Sequence, residues 1–252
     1  MNPYIKNLEK IEFVITYACT GRCKHCFEGD HDSCSEHIDA GVAADAVRKA
    51  AGAYSIKTVM TFGGEPLIYP DAVYEIHRAA TEMEIPVRQI ITNGYFSKDI
   101  SHIKDVAFRL AECGVNVLLL SVDAFHQETI PLEPVMFFAK EARSRGIQIR
   151  LQPAWLVSPN DKNPYNLKTM DILEQFSKLG FTVGEGNIIY PEGNARKYLS
   201  EYFDQSVPEN PYVEDARDVR CLSFSPNGDV LDGNVYKSDI LEIIECYSPE
   251  SK

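Results

Sequence analysis

Three thiols fall within eight residues near the start of the chain: Cys19, Cys23 and Cys26, in the run Cys-Thr-Gly-Arg-Cys-Lys-His-Cys. Thiolates bind soft metals, and their number constrains which metal. A structural zinc normally takes four protein ligands, whereas three cysteines can hold three irons of a four-iron cluster and leave the fourth iron open. A redox metal with an open position can accept a small molecule and pass it an electron. The competing readings are a zinc site completed by His25, His31 or Cys34, and reactive thiols that hold no metal.

The elements that must position these thiols follow from the apolar pattern. Runs of strand length recur at Ile11 to Thr16, Thr58 to Phe62, Val87 to Thr92, Val115 to Val122, Ile147 to Leu151 and Phe181 to Tyr190. Between them lie segments of helical spacing: Asp39 to Ala53, Asp71 to Glu84, Ile100 to Cys113, Leu132 to Arg145 and Leu167 to Leu179. Gly114, Gly146 and Gly180 suit the ends of three of these helices. Strands that alternate with helices require crossover connections, hence a parallel sheet covered by helices. The strands are continuously apolar, as expected when both faces are buried. Six units predict an α/β fold, a six-stranded partial (βα)6 barrel; a closed eight-stranded barrel would need about two more units than the sequence supplies. The thiol loop then lies at the C-terminal end of the first strand, where α/β barrels build their sites.

Composition narrows the class. The chain has 252 residues, 44% of them hydrophobic, enough for one substantial core. A formal charge of -12 repels a phosphate backbone, so no nucleic acid is expected as a partner. Neither a signal-peptide-like start nor a run of ~18 apolar residues occurs, so no membrane contact is expected and the chain reads as cytoplasmic. Seven cysteines, an odd number, argue against a disulfide framework in that compartment.

The spacing of Cys19, Cys23 and Cys26 resembles that of the radical S-adenosylmethionine (SAM) superfamily, and the resemblance runs from Ile11 to about Tyr190. It implies a 4Fe–4S cluster whose fourth iron is chelated by the amino and carboxylate groups of SAM. An electron from the cluster then releases methionine and a 5′-deoxyadenosyl radical that removes hydrogen from a substrate. His25 stands where the family often has an aromatic residue near the adenine. Thr61-Phe-Gly63-Gly64-Glu65-Pro66 looks like the family's GGEP motif, which implies that Glu65 accepts from the SAM ammonium while the two glycines allow close backbone approach. Asn93 and Ser121, with Asp123 beside it, end successive strands and stand where the family commonly faces SAM. Related enzymes often place an arginine a dozen residues past the serine; Glu133 is near that point here. Arg150 on the fifth strand is the candidate for the SAM carboxylate, with an ion pair to a neighbouring acid as the alternative. Ile189 to Arg196 resembles a loop that packs a glycine turn beside the adenine.

Beyond Tyr190 the pattern breaks into Pro, Gly, Asn and charge. Residues 1–190 are expected to form the barrel, and 191–252 a short irregular C-terminal subdomain. Cys221 to Gly233 resembles the start of a SPASM domain, the appendage that holds auxiliary clusters in many peptide-modifying members, but only Cys246 follows. A truncated, metal-free remnant is expected, with Asn227-Gly228 turning a hairpin between Ser223-Phe224 and Val230-Leu231. Cys221 is then either a buried small hydrophobe or a hydrogen-atom donor to a product radical. His126, past the fourth strand, is a candidate proton acceptor or part of a solvated loop. Trp155 lines a substrate pocket or belongs to the core.

These readings imply a radical SAM enzyme of the SPASM-like group acting on a peptide or small metabolite, reduced by a flavodoxin or ferredoxin. The alternatives are a zinc-binding α/β protein without radical chemistry, and a radical SAM epimerase or methyltransferase.

Overall fold

Asp39, Asp99 and Asn163 each end an extended segment with a side chain that accepts a backbone N–H of the following turn, at Val42, Ser101 and Asn166. Such caps satisfy donors that a helix start otherwise leaves unpaired, and they fix where three of the crossover helices begin. The computed structural model describes residues 2–29, 31, 36–203 and 214–249; Cys34, one candidate zinc ligand, lies outside them.

The strands are β1 (Lys10–Val14), β2 (Thr58–Phe62), β3 (Val87–Thr92), β4 (Val117–Leu120), β5 (Gln148–Leu151), β6 (Ala154–Trp155), β7 (Thr182–Val183), β8 (Asn187–Ile188), β9 (Cys221–Phe224), β10 (Asp229–Val230) and β11 (Gly233–Asn234). The helices are α1 (Ala40–Ala53), α2 (Pro70–Glu82), α3 (Ile100–Glu112), α4 (Leu132–Ser144), α5 (Pro164–Ser177), α6 (Gly193–Tyr198) and α7 (Ile240–Cys246). The main sheet runs β7-β5-β4-β3-β2-β1-β9, with every pairing parallel. Ile11, Phe13, Val59, Ile90, Leu118, Leu120, Ile149 and Leu151 point to the helix side and join the core. Residues at the alternate positions, Glu12, Gln89, Leu119 and Arg150 among them, therefore face the inner side of the open barrel.

The partial α/β barrel stands as expected, with two corrections. The sixth run divides: Thr182–Val183 continues the main sheet, and Asn187–Ile188 pairs with Ala154–Trp155 in a small sheet of its own. Gly186, at φ +78°, makes the break, because a Cβ there would stand 2.3 Å from the carbonyl oxygen of Pro153. The second correction concerns the tail, which the expected boundary at residue 190 does not separate from the barrel. Cys221–Phe224 is a seventh strand of the main sheet, parallel to β1 and level with Lys10–Phe13.

The expected turn at Asn227-Gly228 is present, Gly228 N–H donating to Ser225 O and Ser225 N–H to Asp229 O, both at 2.9 Å, but the register of Val230 differs. Val230 pairs with Gly233 instead. The tail strand buries Leu222 and Phe224 on the helix side, where Phe224 stacks on Phe13 with ring centroids 4.6 Å apart. Trp155 is core, its indole N–H donating to the carbonyl of Glu185.

Candidate functional site

The loop that carries the three cysteines is held down by the turn after β2. Gly64 N–H donates to Thr16 O and Glu65 N–H to Ala18 O, both at 2.8 Å. A Cβ on Gly63 would meet Thr16 O at 2.5 Å, and one on Gly64 would meet Ala18 O at 2.2 Å. The two glycines thus serve the approach of the cysteine loop's own backbone. On the far side, Asn194 N–H donates to Cys26 O at 2.8 Å, and its Nδ2 reaches Cys23 O and Gly29 O at 3.3 and 3.2 Å.

Gly21 lies between two sulfurs: a Cβ there would stand 3.3 Å from Cys23 Sγ and 3.7 Å from Cys19 Sγ. Cys19 Sγ accepts from Gly21 N–H at 3.3 Å and from Asn93 Nδ2 at 3.6 Å. Cys23 is buried among Phe125, Ala154 and Leu156. Cys26 Sγ is 3.3 Å from His31 Nε2, while His31 Nδ1 donates to Tyr17 O at 2.7 Å. Burial pushes the Cys19 thiol up to about 11 and raises Cys23 and Cys26 as well. Binding a metal here must therefore displace protons.

Glu65 is tied into the turns around it. Its carboxylate is fully buried and accepts from Leu67 N–H, Asn93 N–H and the Thr92 hydroxyl, the last within 2.9 Å of both oxygens. Burial is the first cause that pushes its pKa up to about 7, and these hydrogen bonds oppose it. Asn93 is likewise spent inside the protein: Oδ1 accepts from Tyr95 N–H, and Nδ2 faces Cys19 Sγ and Thr20 Oγ1. Glu65 and Asn93 are thus linked to each other and, through Asn93 Nδ2, to the cysteine loop.

Asp123 is also an organiser. Its Oδ1 accepts from Phe125 and His126 N–H, and its Oδ2 from His126 Nδ1 at 2.8 Å and Ala154 N–H at 3.0 Å. His126 is drawn in beside His25, ring centroids 4.9 Å apart. Among the described residues His25 Nδ1 is enclosed without a partner, and burial lowers that ring's pKa to about 4, so the ring is neutral at pH 7. Ser121 follows β4 on the inner face. Arg150 is exposed on that face, level with Leu119 and Thr182, and has no hydrogen bond or ion pair among the described residues.

Cys221 is not part of this assembly. It lies level with Lys10, the first residue of β1. At about 3.3 Å per residue it stands roughly 13 Å below the end of that strand, on the neighbouring strand and at the opposite strand end from the cysteine loop. Burial raises its thiol pKa, and its place agrees with the reading as a buried small hydrophobe.

A model of the radical SAM superfamily matches residues 13–204. The chain belongs to the radical SAM superfamily. Among curated proteins, the GTP 3′,8-cyclase of Clostridium perfringens is 22% identical over 193 residues, covering 68% of this chain and 58% of that protein. The probable GTP 3′,8-cyclase of Methanocaldococcus jannaschii is 24% identical over 49% of this chain and 39% of its own length. The chain thus spans about two fifths to three fifths of the curated relatives it matches. Among solved structures, Streptococcus suis SuiB bound to precursor peptide SuiA gives a TM-score of 0.64 at 15% identity, over 97% of this chain and 65% of that one. Native anSMEcpe with bound AdoMet gives 0.59 at 14% identity, over 94% of this chain and 81% of that one. These likenesses show the fold.

The characteristic cofactors of a radical SAM protein, a 4Fe–4S cluster and SAM, suit this donor set. Three sulfurs flank one loop, and N–H groups are aimed at one of them. The zinc alternative finds a different set: Cys23, His25 and His126 place ligand atoms within 4.8 Å of one another, but it takes in only one of the three cysteines. Sequence reasoning missed Asn194 and Thr16. Asn194 follows Gly193, whose Cβ would stand 2.2 Å from Phe27 O, so the Gly-Asn pair was the available signal for a backbone contact. Thr16 gave none, as a single threonine at a strand end is commonplace.

Proposed function

We propose that this chain is a radical SAM enzyme in which Cys19, Cys23 and Cys26 hold the cluster. The observation that carries the reading is the cysteine loop itself, fixed from both sides at the C-terminal end of a parallel sheet, with Ser121 and Arg150 on the wall beneath it. When bound, the cluster and SAM supply one-electron cleavage of a sulfur–carbon bond and a carbon-centred radical that removes hydrogen from the substrate.

The chain's own residues divide the remaining work. Asp123 fixes the His126 ring through Nδ1 and leaves Nε2 as the nitrogen able to take a proton from a substrate being oxidised. His25 would offer an uncharged ring to the adenine of bound SAM. Arg150 supplies a fixed positive charge for a carboxylate, that of SAM or of the substrate. The substrate is a peptide or small metabolite, and the electron comes from a flavodoxin or ferredoxin. SuiB with its precursor peptide supports the peptide reading at the level of fold. The net charge of -12 supports the expectation that nucleic acid is not bound.

Anaerobic reconstitution tests this reading. Iron and sulfide are counted per chain, then dithionite and SAM are added and 5′-deoxyadenosine is measured. About four irons per chain with deoxyadenosine is the expected result. Zinc without iron, and no deoxyadenosine, would sink it.

A further inference from the structure

Asn93 immediately follows β3 and is 4% exposed. Its orientation is decided by its neighbours. Only an oxygen can accept the Tyr95 N–H at 2.8 Å, so Oδ1 must occupy that side and Nδ2 the other. Nδ2 then lies 3.6 Å from Cys19 Sγ and 3.2 Å from Thr20 Oγ1. The main chain of Asn93 is fixed in turn by Glu65, whose Oε2 accepts its N–H at 2.9 Å. A buried amide, held at both its backbone and its oxygen, thus has no choice but to aim a donor at this sulfur.

We propose that Asn93 is a positioning residue that stabilises the reduced state of the cluster through an N–H···S bond to the Cys19 thiolate. The inference rests on Cys19 being a cluster ligand. One electron from an external low-potential donor adds one negative charge to the cluster, shared by its sulfur ligands, and no bond forms or breaks in the protein. A donor aimed at a sulfur favours the more negative state, and hydrogen bonds to sulfur are among the factors that set cluster potentials. In a buried setting the effect is larger than in water. Through Asn93, the Glu65 carboxylate acts on the cluster at one remove.

The test compares reconstituted wild type with Asn93→Ala, Asn93→Asp and Thr20→Val by iron count and by dithionite redox titration of the reduced-cluster EPR signal. Asn93→Ala should keep its iron and make reduction about tenfold less favourable, ~59 mV lower for one electron. Asn93→Asp should shift further in the same direction, since it puts an acceptor where the donor was. Thr20→Val removes the other partner of Nδ2 but leaves the donor on sulfur, and should keep the wild-type potential. An unshifted Asn93→Ala overturns the proposal, as does an equal shift in all three variants. Loss of iron from both Asn93 variants also overturns it, because the side chain would then hold the loop and not the charge. A wild type that takes up no iron fails earlier, at the cluster assignment itself.

Discussion

The carbonyl oxygen of Ala18 lies 2.2 Å from where a Cβ on Gly64 would stand, so the turn after β2 and the approach to the cysteine loop meet backbone to backbone. Gly64→Ala must push the two apart, at a cost of about 1–3 kcal/mol. The displacement falls on Tyr17 and Ala18, the two residues before Cys19. Iron per chain and deoxyadenosine production should each drop by about tenfold or more, while far-ultraviolet circular dichroism stays that of the wild type. Gly52→Ala is the control. It lies in α1 with nothing near its Cβ, and should leave iron unchanged and stabilise by about 0.5–1 kcal/mol.

Cys221→Ala separates the two readings of that residue. Its place beside Lys10, at the far end of the sheet from the loop, predicts full iron and unchanged deoxyadenosine production. The lost sulfur should cost about 1 kcal/mol in chemical denaturation. A variant that retained its fold and iron yet turned over no substrate would restore Cys221 to the chemistry.

The strands and crossover helices were legible because each strand buries a continuous apolar run under a helix, and side chains such as Asp39 and Asp99 mark where some of those helices begin. The cysteine loop was legible because three thiols in eight residues have few other uses. What the sequence did not disclose was direction. Gly63, Gly64, Glu65 and Asn93 stand together beside the cysteine loop, but whether a glycine makes room for a ligand or for the chain's own backbone depends on what lies opposite, and no local pattern carries that. Cys221–Phe224 shows the same limit. Its strand character was visible, and its partner, more than two hundred residues earlier, was not.

Asp123→Asn tests the organiser role. The carboxylate accepts four hydrogen bonds, two on each oxygen, and the amide would set an NH2 group against N–H donors on one side. Burial alone would raise this carboxyl, but the charge and hydrogen bonds of His126 hold it well below the usual carboxylate range. Losing a buried charged acceptor should cost about 3 kcal/mol, on the order of 6–12 °C in Tm. His126→Ala removes one of the four bonds and should cost about 1–2 kcal/mol. If the two substitutions were equally mild in thermal melts, Asp123 would not be what ties β4 to the segment after β5.

Glu65 gives the chain a pH dependence of a definite sign. Burial pushes its carboxyl up to about 7 from an ordinary value of 4.5, so the folded state binds the proton more tightly than the unfolded one. The proton has a place to go: the Thr92 hydroxyl, 2.8 and 2.9 Å from the two oxygens, can accept as well as donate. A raised pKa contributes stability in full below about 4.5, and that contribution is lost as pH rises through 7. The loss amounts to about 3 kcal/mol, at 1.36 kcal/mol per unit. Glu65→Gln cannot titrate. It should be destabilised at every pH by the donor it sets against Asn93 N–H, yet its deficit relative to wild type should be larger at pH 5 than at pH 8 by roughly 2–3 kcal/mol. Urea denaturation at both pH values, with iron omitted, measures the difference. A deficit that stayed constant between them would mean that Glu65 titrates as a free carboxyl does, and the buried, proton-sharing arrangement with Thr92 would have to be abandoned.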